Sequence, residues 1–179
     1  DSTKANLFFA NGVILVEGDA ENILLPTIAK LIGKNLSNYG VSIVNVGSVA
    51  FLRYSKIFLR QLEPHFNVPV AVITDVDVKP YESKVKIKDD VSGTEREMTK
   101  DEVETDRTST ILAKNTKYND EKVKSFIAPY WTLEYTIALS CLSKLFYQAV
   151  YISWKIKDAD GKNSYTYTAS HLQIPANNQ

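Results

Sequence analysis

Cysteine and methionine are nearly missing from this chain, with one of each in 179 residues. A lone cysteine and no N-terminal signal pattern point to a reducing cytoplasm. Cys141 sits among Ile137, Ala138, Leu139 and Leu142, so it is expected as a small buried hydrophobe and not as a nucleophile. Met98 is the only methionine and the chain opens at Asp1, which reads as a piece of a longer polypeptide. No apolar run approaches the roughly 18 residues that a membrane span needs, so no membrane partner is expected. Net charge is also missing: 21 basic and 21 acidic residues cancel. Nothing therefore draws nucleic acid to the molecule as a whole, and any DNA binding needs local basic patches or bound metal.

What is present suits one α/β domain with an insertion. Hydrophobic residues make up 44% of the chain and charged residues 23%, enough apolar content for a core without disulfides or structural metal. Gly12–Val16 is a short β-branched run that ends in Glu17. Gly18 turns the chain, Asp19 is placed as a helix N-cap, and Glu21 lies in the first helical turn. Ile23, Leu24, Ile28, Leu31 and Ile32 form an apolar stripe at helical spacing, with Pro26 as a kink or a late helix start. A second strand is predicted over Val41–Val46, then a helix containing Phe51, Leu52, Ile57, Phe58 and Leu59. A third strand, Val68–Thr74, ends in Asp75 and Asp77. This alternation predicts a parallel sheet with helices on its faces, and ligands beyond the carboxyl ends of its strands.

Residues 79–125 are rich in Lys, Asp, Glu, Thr and Ser, and read as a charged insertion or mobile loop that holds a hairpin followed by a helix. The core is thus assigned to 1–78 and 126–179. Trp131–Val150 reads as a helix, Ala149–Trp154 as a strand, Asp158–Gly161 as a turn, and Tyr165–Thr168 as a returning strand.

Carboxylates carry the chemistry. Glu17 ends one strand and Glu21 lies one helical turn on; Asp75 and Asp77 end another, on the same side if the chain stays extended. Hard divalent cations such as Mg2+ or Mn2+ prefer carboxylate oxygens, and converging carboxylates are costly without a cation. Taken singly, each acid has a plainer reading as a helix cap or a solvated loop residue. Two acid pairs at equivalent edges of one sheet are harder to dismiss.

These residues are similar to the Toprim pattern. Val16-Glu17-Gly18-Asp19-Ala20-Glu21 and Val72-Ile73-Thr74-Asp75-Val76-Asp77 resemble its two acidic boxes. Leu7-Phe8-Phe9-Ala10 and Trp131-Thr132-Leu133-Glu134-Tyr135 resemble elements of the Toprim domain in the OLD (overcoming lysogenization defect) family of ATP-dependent nucleases. The resemblance covers 1–78 and 126–146. It implies a Toprim-like parallel sheet flanked by helices and ligation of Mg2+ or Mn2+, two ions in all, by Glu17, Glu21, Asp75, Asp77 and Glu134. Ca2+ would serve as a non-catalytic substitute. Glu134 enters through the resemblance alone.

The implied activity is two-metal hydrolysis of DNA phosphodiesters, regulated by ATP, in phage defence or DNA processing. The implied partners are DNA, an ATPase domain of the same polypeptide, and a homo-oligomeric assembly. Val78-Lys79-Pro80 stands where many Toprim proteins have a glycine, and no Gly-x-x-x-x-Gly-Lys-Ser/Thr loop is present. The resemblance also implies a lysine late in the Toprim region that stabilises the transition state; it has no matching motif here, although Lys144 and Lys155 are available. Two rival readings stand beside this one. The first is a haloacid-dehalogenase-like phosphatase with Asp75 as nucleophile, which leaves Glu17 idle. The second is a degenerate Toprim module for assembly or DNA binding.

Overall fold

The computed structural model describes residues 8–47, 57–59, 63, 67–89 and 93–158, the last five of these by backbone only. The chain divides into two units, Asp1–Thr132 and Leu133–Gln179, and each is described by itself. The boundary falls inside the Trp131–Tyr135 element.

In the first unit, four parallel strands form one sheet: β1 (Gly12–Val16), β2 (Val41–Asn45), β3 (Val70–Thr74) and a strand at Val123–Ile127. Lys86–Lys88 (β4) and Glu95–Glu97 (β5) pair antiparallel as a separate hairpin, so Val123–Ile127 is β6 in chain order. The sheet order is β2-β1-β3-β6. The chain winds from β1 outward to β2, then returns to the other side of β1 for β3. Such a reversal opens a crevice at the carboxyl ends of β1 and β3, where α/β sheets bind ligands.

Alternation along the strands builds the core on one face. Val13 and Leu15 of β1, Val44 of β2, Val70 and Val72 of β3 and Val123 of β6 are buried together with Val46, Phe58 and Tyr118. β-branched valines suit this pleated surface, because their stiff side chains lose little on packing. On the other face the cover is thinner: Phe126 of β6 is exposed, and an open apolar hollow of about 460 Å³ is lined in part by Ile14, Ala71 and Phe126. β6 straddles the end of the compositionally charged stretch, where the sequence does not lead one to expect a strand.

Helix α1 (Asp19–Leu31) follows β1, and Gly18 is its N-cap; Asp19 is therefore the first helical residue, not the cap expected of it. Pro26 lies inside α1, which continues to Leu31. The expected apolar stripe forms but is not buried. Ile23, Ile28, Leu31 and Ile32 are all exposed, whereas Glu21 is the one buried residue of the helix. The face of α1 turned inward carries Glu21, Leu25 and Ala29, and of these only Glu21 is buried.

Between β3 and β6, residues 79–125 hold the β4–β5 hairpin and helix α2 (Lys100–Tyr118). A capping box starts α2: the Thr99 hydroxyl accepts from Glu102 N, and the Glu102 carboxylate accepts from Thr99 N. Arg96 of β5 grips the same carboxylate through two bonds of 2.8 and 2.5 Å, joining hairpin to helix. At its other end α2 is tied to β6. The side-chain oxygens of Asn115 and Asn119 accept from the Ser125 hydroxyl at 2.7 and 2.9 Å.

In the second unit, α3 (Leu133–Ala138) and α4 (Ser143–Asp158) replace the single helix expected over Trp131–Val150. Ser140 explains the break: its hydroxyl accepts from Leu142 N and donates to the Ile137 carbonyl, closing one helix and starting the next. Ala149–Trp154, expected as a strand, lies within α4. A short run of β-branched and aromatic residues fits either state, and here the helix already running decides it. Cys141 falls in the exposed break and is itself exposed, contrary to the buried placement expected for it. Leu7, Phe51, Leu52 and the turn and strand expected beyond Asp158 lie outside the described residues. Among the described residues no helix is long and apolar enough to cross a membrane.

Candidate metal centre

The two acidic boxes meet at the β1–β3 crevice. β1 and β3 are hydrogen-bonded neighbours with Val16 opposite Ile73, so Glu17 comes level with Thr74. The Thr74 hydroxyl donates to Glu17 Oε1 at 2.5 Å. Thr74 is only 2% exposed, so this bond fixes the Glu17 carboxylate against the end of β3. Sequence reasoning took Thr74 as the last residue of a strand and missed this role. The alternation of Val70, Val72 and Thr74 on one face was the available signal.

Burial raises the Glu17 carboxyl above its ordinary value of 4.5. The Thr74 hydrogen bond and the Lys114 ammonium oppose the rise, and the charges of Asp77 and Glu21 add to it. Glu21 and Asp77 thus each lie within electrostatic reach of Glu17.

Glu21 is the more telling residue. It is 7% exposed, and its Oε2 has no hydrogen-bond partner. A buried carboxylate oxygen left unsatisfied is costly and calls for an explanation. Gly18 makes room for it: a Cβ there would lie 3.0 Å from Glu21 Oε2. Asp19 points elsewhere and accepts from Asn45 Nδ2 at 2.7 Å, which links the start of α1 to the end of β2.

The second box is built differently. Val76 is fully buried and anchors the loop between Asp75 and Asp77. The extended path expected through both aspartates ends at Asp77, whose φ of 65° places it in the left-handed region. Aspartate tolerates that region better than most residues. Its amide donates to the Trp131 carbonyl at 3.0 Å, which holds the turn. The Asp77 side chain is 63% exposed and pairs with the Lys114 ammonium at 2.7 Å.

Lys114, placed by α2, is one of the lysines of the charged stretch, for which the sequence offers either a phosphate contact or, for most of them, a solvated surface. It also donates to the Asp75 carbonyl at 2.5 Å. The signal was its spacing of four from Tyr118, which puts both on one face of α2. Tyr118 is buried in the core, and its hydroxyl is held above the usual phenol range by burial and then by the Glu17 charge.

Glu17, Glu21, Asp75 and Asp77 therefore share one sheet edge. Glu134 opens α3, is exposed, and belongs to the second unit. Among the described residues no three His, Cys, Asp or Glu side chains are gathered tightly enough to hold one ion. The donor chemistry nevertheless fits a hard divalent cation. All the donors are carboxylates, and the unsatisfied Glu21 oxygen is what such an ion would satisfy.

Residues 8–77 match the family model described as overcoming lysogenization defect protein-like, TOPRIM domain. Among solved structures, the chain is similar to the C-terminal region of the Xanthomonas campestris pv. campestris OLD protein. The identity is 23% over 88% of this chain and 67% of that one, with a TM-score of 0.46. It is also similar to the C-terminal region of the Burkholderia pseudomallei OLD protein, at 24% identity over 92% and 70% of the two chains and a TM-score of 0.43. No curated protein matches the chain.

Proposed function

Starting from residues 8–77 as a TOPRIM domain of the OLD-like family, we propose that this chain is the metal-holding part of a divalent-metal-dependent DNA endonuclease. The observation that carries the proposal is the buried Glu21 carboxylate, whose Oε2 lacks a partner at the β1–β3 crevice. Glu17, Glu21, Asp75 and Asp77 are its ligands; Glu134 joins them on its sequence likeness alone. Mg2+ or Mn2+ is the ion, and two ions suit the number of carboxylates.

Held by these carboxylates, such ions would supply Lewis acidity to the phosphodiester and to a water for in-line attack. The chain's own residues do the rest. Thr74 donates to Glu17 Oε1, orienting the carboxylate and leaving its second oxygen for the ion. Val76 anchors the loop that carries both aspartates. No side chain is asked to act as a covalent nucleophile. The ATPase domain, regulation by ATP, homo-oligomeric assembly, a cytoplasmic setting and a role in phage defence belong to the same proposal for the whole protein.

The test is nicking of supercoiled plasmid by the full-length protein with Mn2+ or Mg2+. Glu17→Ala and Asp75→Ala should each lose about 100-fold or more, the scale of removing one strong electrostatic element of an active site. Wild-type nicking by both variants would sink the metal assignment. Phosphomonoesterase activity lost in Asp75→Ala but kept in Glu17→Ala would favour the phosphatase reading. A protein that binds DNA but cuts nothing with either metal would favour the assembly or binding module.

A further inference from the structure

The Asp77 box already faces a cation, and it belongs to the protein. Lys114 Nζ donates to Asp77 Oδ2 at 2.7 Å and to the Asp75 carbonyl at 2.5 Å, and its charge also reaches Glu17. Both partners are held by backbone and core. The Lys114 side chain is 21% exposed, and one turn further along α2 Tyr118 is buried. Asn115, the next residue, accepts from Ser125 of β6 at 2.7 Å. On the other side, the Asp77 amide is bonded to the Trp131 carbonyl.

This ammonium leaves the Glu21 oxygen unsatisfied. It also repels any divalent ion that enters the crevice, because like charges at contact range oppose one another even in a solvated site. We propose that Lys114 is a tethered counter-ion of the acidic crevice: it holds Asp77 in the metal-free chain, leaves Asp77 when a divalent cation loads, and then offers its ammonium to a phosphodiester oxygen at the same edge. The inference rests on the metal reading given above.

Two consequences follow. Lys114 raises the metal concentration needed to fill the site. Metal and a DNA phosphate also help each other bind, since the phosphate takes up the displaced ammonium, and such coupling is reciprocal.

The experiment is calorimetric titration of MnCl2 into the full chain at low ionic strength, with no DNA present. Lys114→Met should bind Mn2+ about fivefold or more tighter than wild type, and Lys114→Arg should stay within about twofold of it. If Lys114→Met does not fold, Lys114→Gln is read in the same way, since it also removes the charge. Equal or weaker Mn2+ binding by the neutral variant overturns the proposal. Glu21→Gln separates the two levels. If it abolishes saturable Mn2+ binding while the neutral Lys114 variant matches wild type, only the counter-ion role falls. If wild type shows no saturable binding that Glu21→Gln removes, the metal reading falls and takes the counter-ion role with it.

Discussion

Glu21, in the first turn of the helix after β1, and Asp77, just beyond β3, have opposite surroundings. Glu21 is buried, and one of its oxygens has no partner; Asp77 is mostly exposed and is paired with Lys114. The β1 box is rigid: Glu17 is pinned by the buried Thr74 hydroxyl, and Gly18 leaves room for the Glu21 oxygen. The β3 box is held by the buried Val76, by the Asp77 amide on the Trp131 carbonyl, and by Lys114 on Asp77 and the Asp75 carbonyl. A buried carboxylate that nothing satisfies destabilises a fold that gains nothing from it. On the metal reading proposed above, the β1 box would be the fixed half of the cation site and the β3 box the half that adjusts to the ion.

The largest test of this contrast is thermal. Mn2+ at about 100 times its dissociation constant should stabilise the wild-type chain by about 2.7 kcal/mol. For a chain of this size that raises the melting temperature by roughly 5–10 °C. Glu21→Gln should lose most of this gain and Asp77→Asn distinctly less, as followed by scanning fluorimetry. Equal losses in the two variants would erase the distinction between a fixed and an adjusting half.

A smaller effect is expected at Val76, the anchor of the β3 box. Val76→Ala should cost about 2 kcal/mol in urea unfolding without metal, as expected for truncating a fully buried side chain. It should also weaken Mn2+ binding, whereas a comparable truncation far from the crevice, Val123→Ala, should cost similar stability and leave Mn2+ binding unchanged. Parallel loss of metal binding in both would mean that Val76 matters only to the fold.

The smallest effect is a pH dependence at Glu17. Burial raises its pKa above 4.5, so its contribution to stability is full below pH 4.5 and is lost as pH rises through the elevated value. In metal-free protein, Glu17→Gln should therefore melt with wild type at pH 4 and about 1–2 °C above it at pH 7. A variant less stable than wild type at pH 7 would show that Thr74 and Lys114 outweigh burial at this carboxylate.

Much of this arrangement was legible in the sequence. Valine-rich runs ending in acids, with helical spacing between, placed β1, β2 and β3 in one parallel sheet and both boxes at its carboxyl edge. What escaped notice depended on contacts distant in sequence. Lys114 meets Asp77 across 37 residues, and only the packing of α2 brings them together. β6 was hidden because an edge strand with one exposed face carries charge: Lys124 alternates with Val123 and Ser125. The stripe on α1 misled for the reverse reason, since apolar spacing shows which residues share a face but not that the face is covered.

The central claim is that the crevice between β1 and β3 holds a divalent ion, and anomalous diffraction from crystals grown with Mn2+ tests it most directly. A manganese peak about 2.1 Å from carboxylate oxygens of both Glu21 and Glu17 or Asp75 is the predicted result. Ordered manganese elsewhere, with Glu21 Oε2 still unsatisfied, would contradict it.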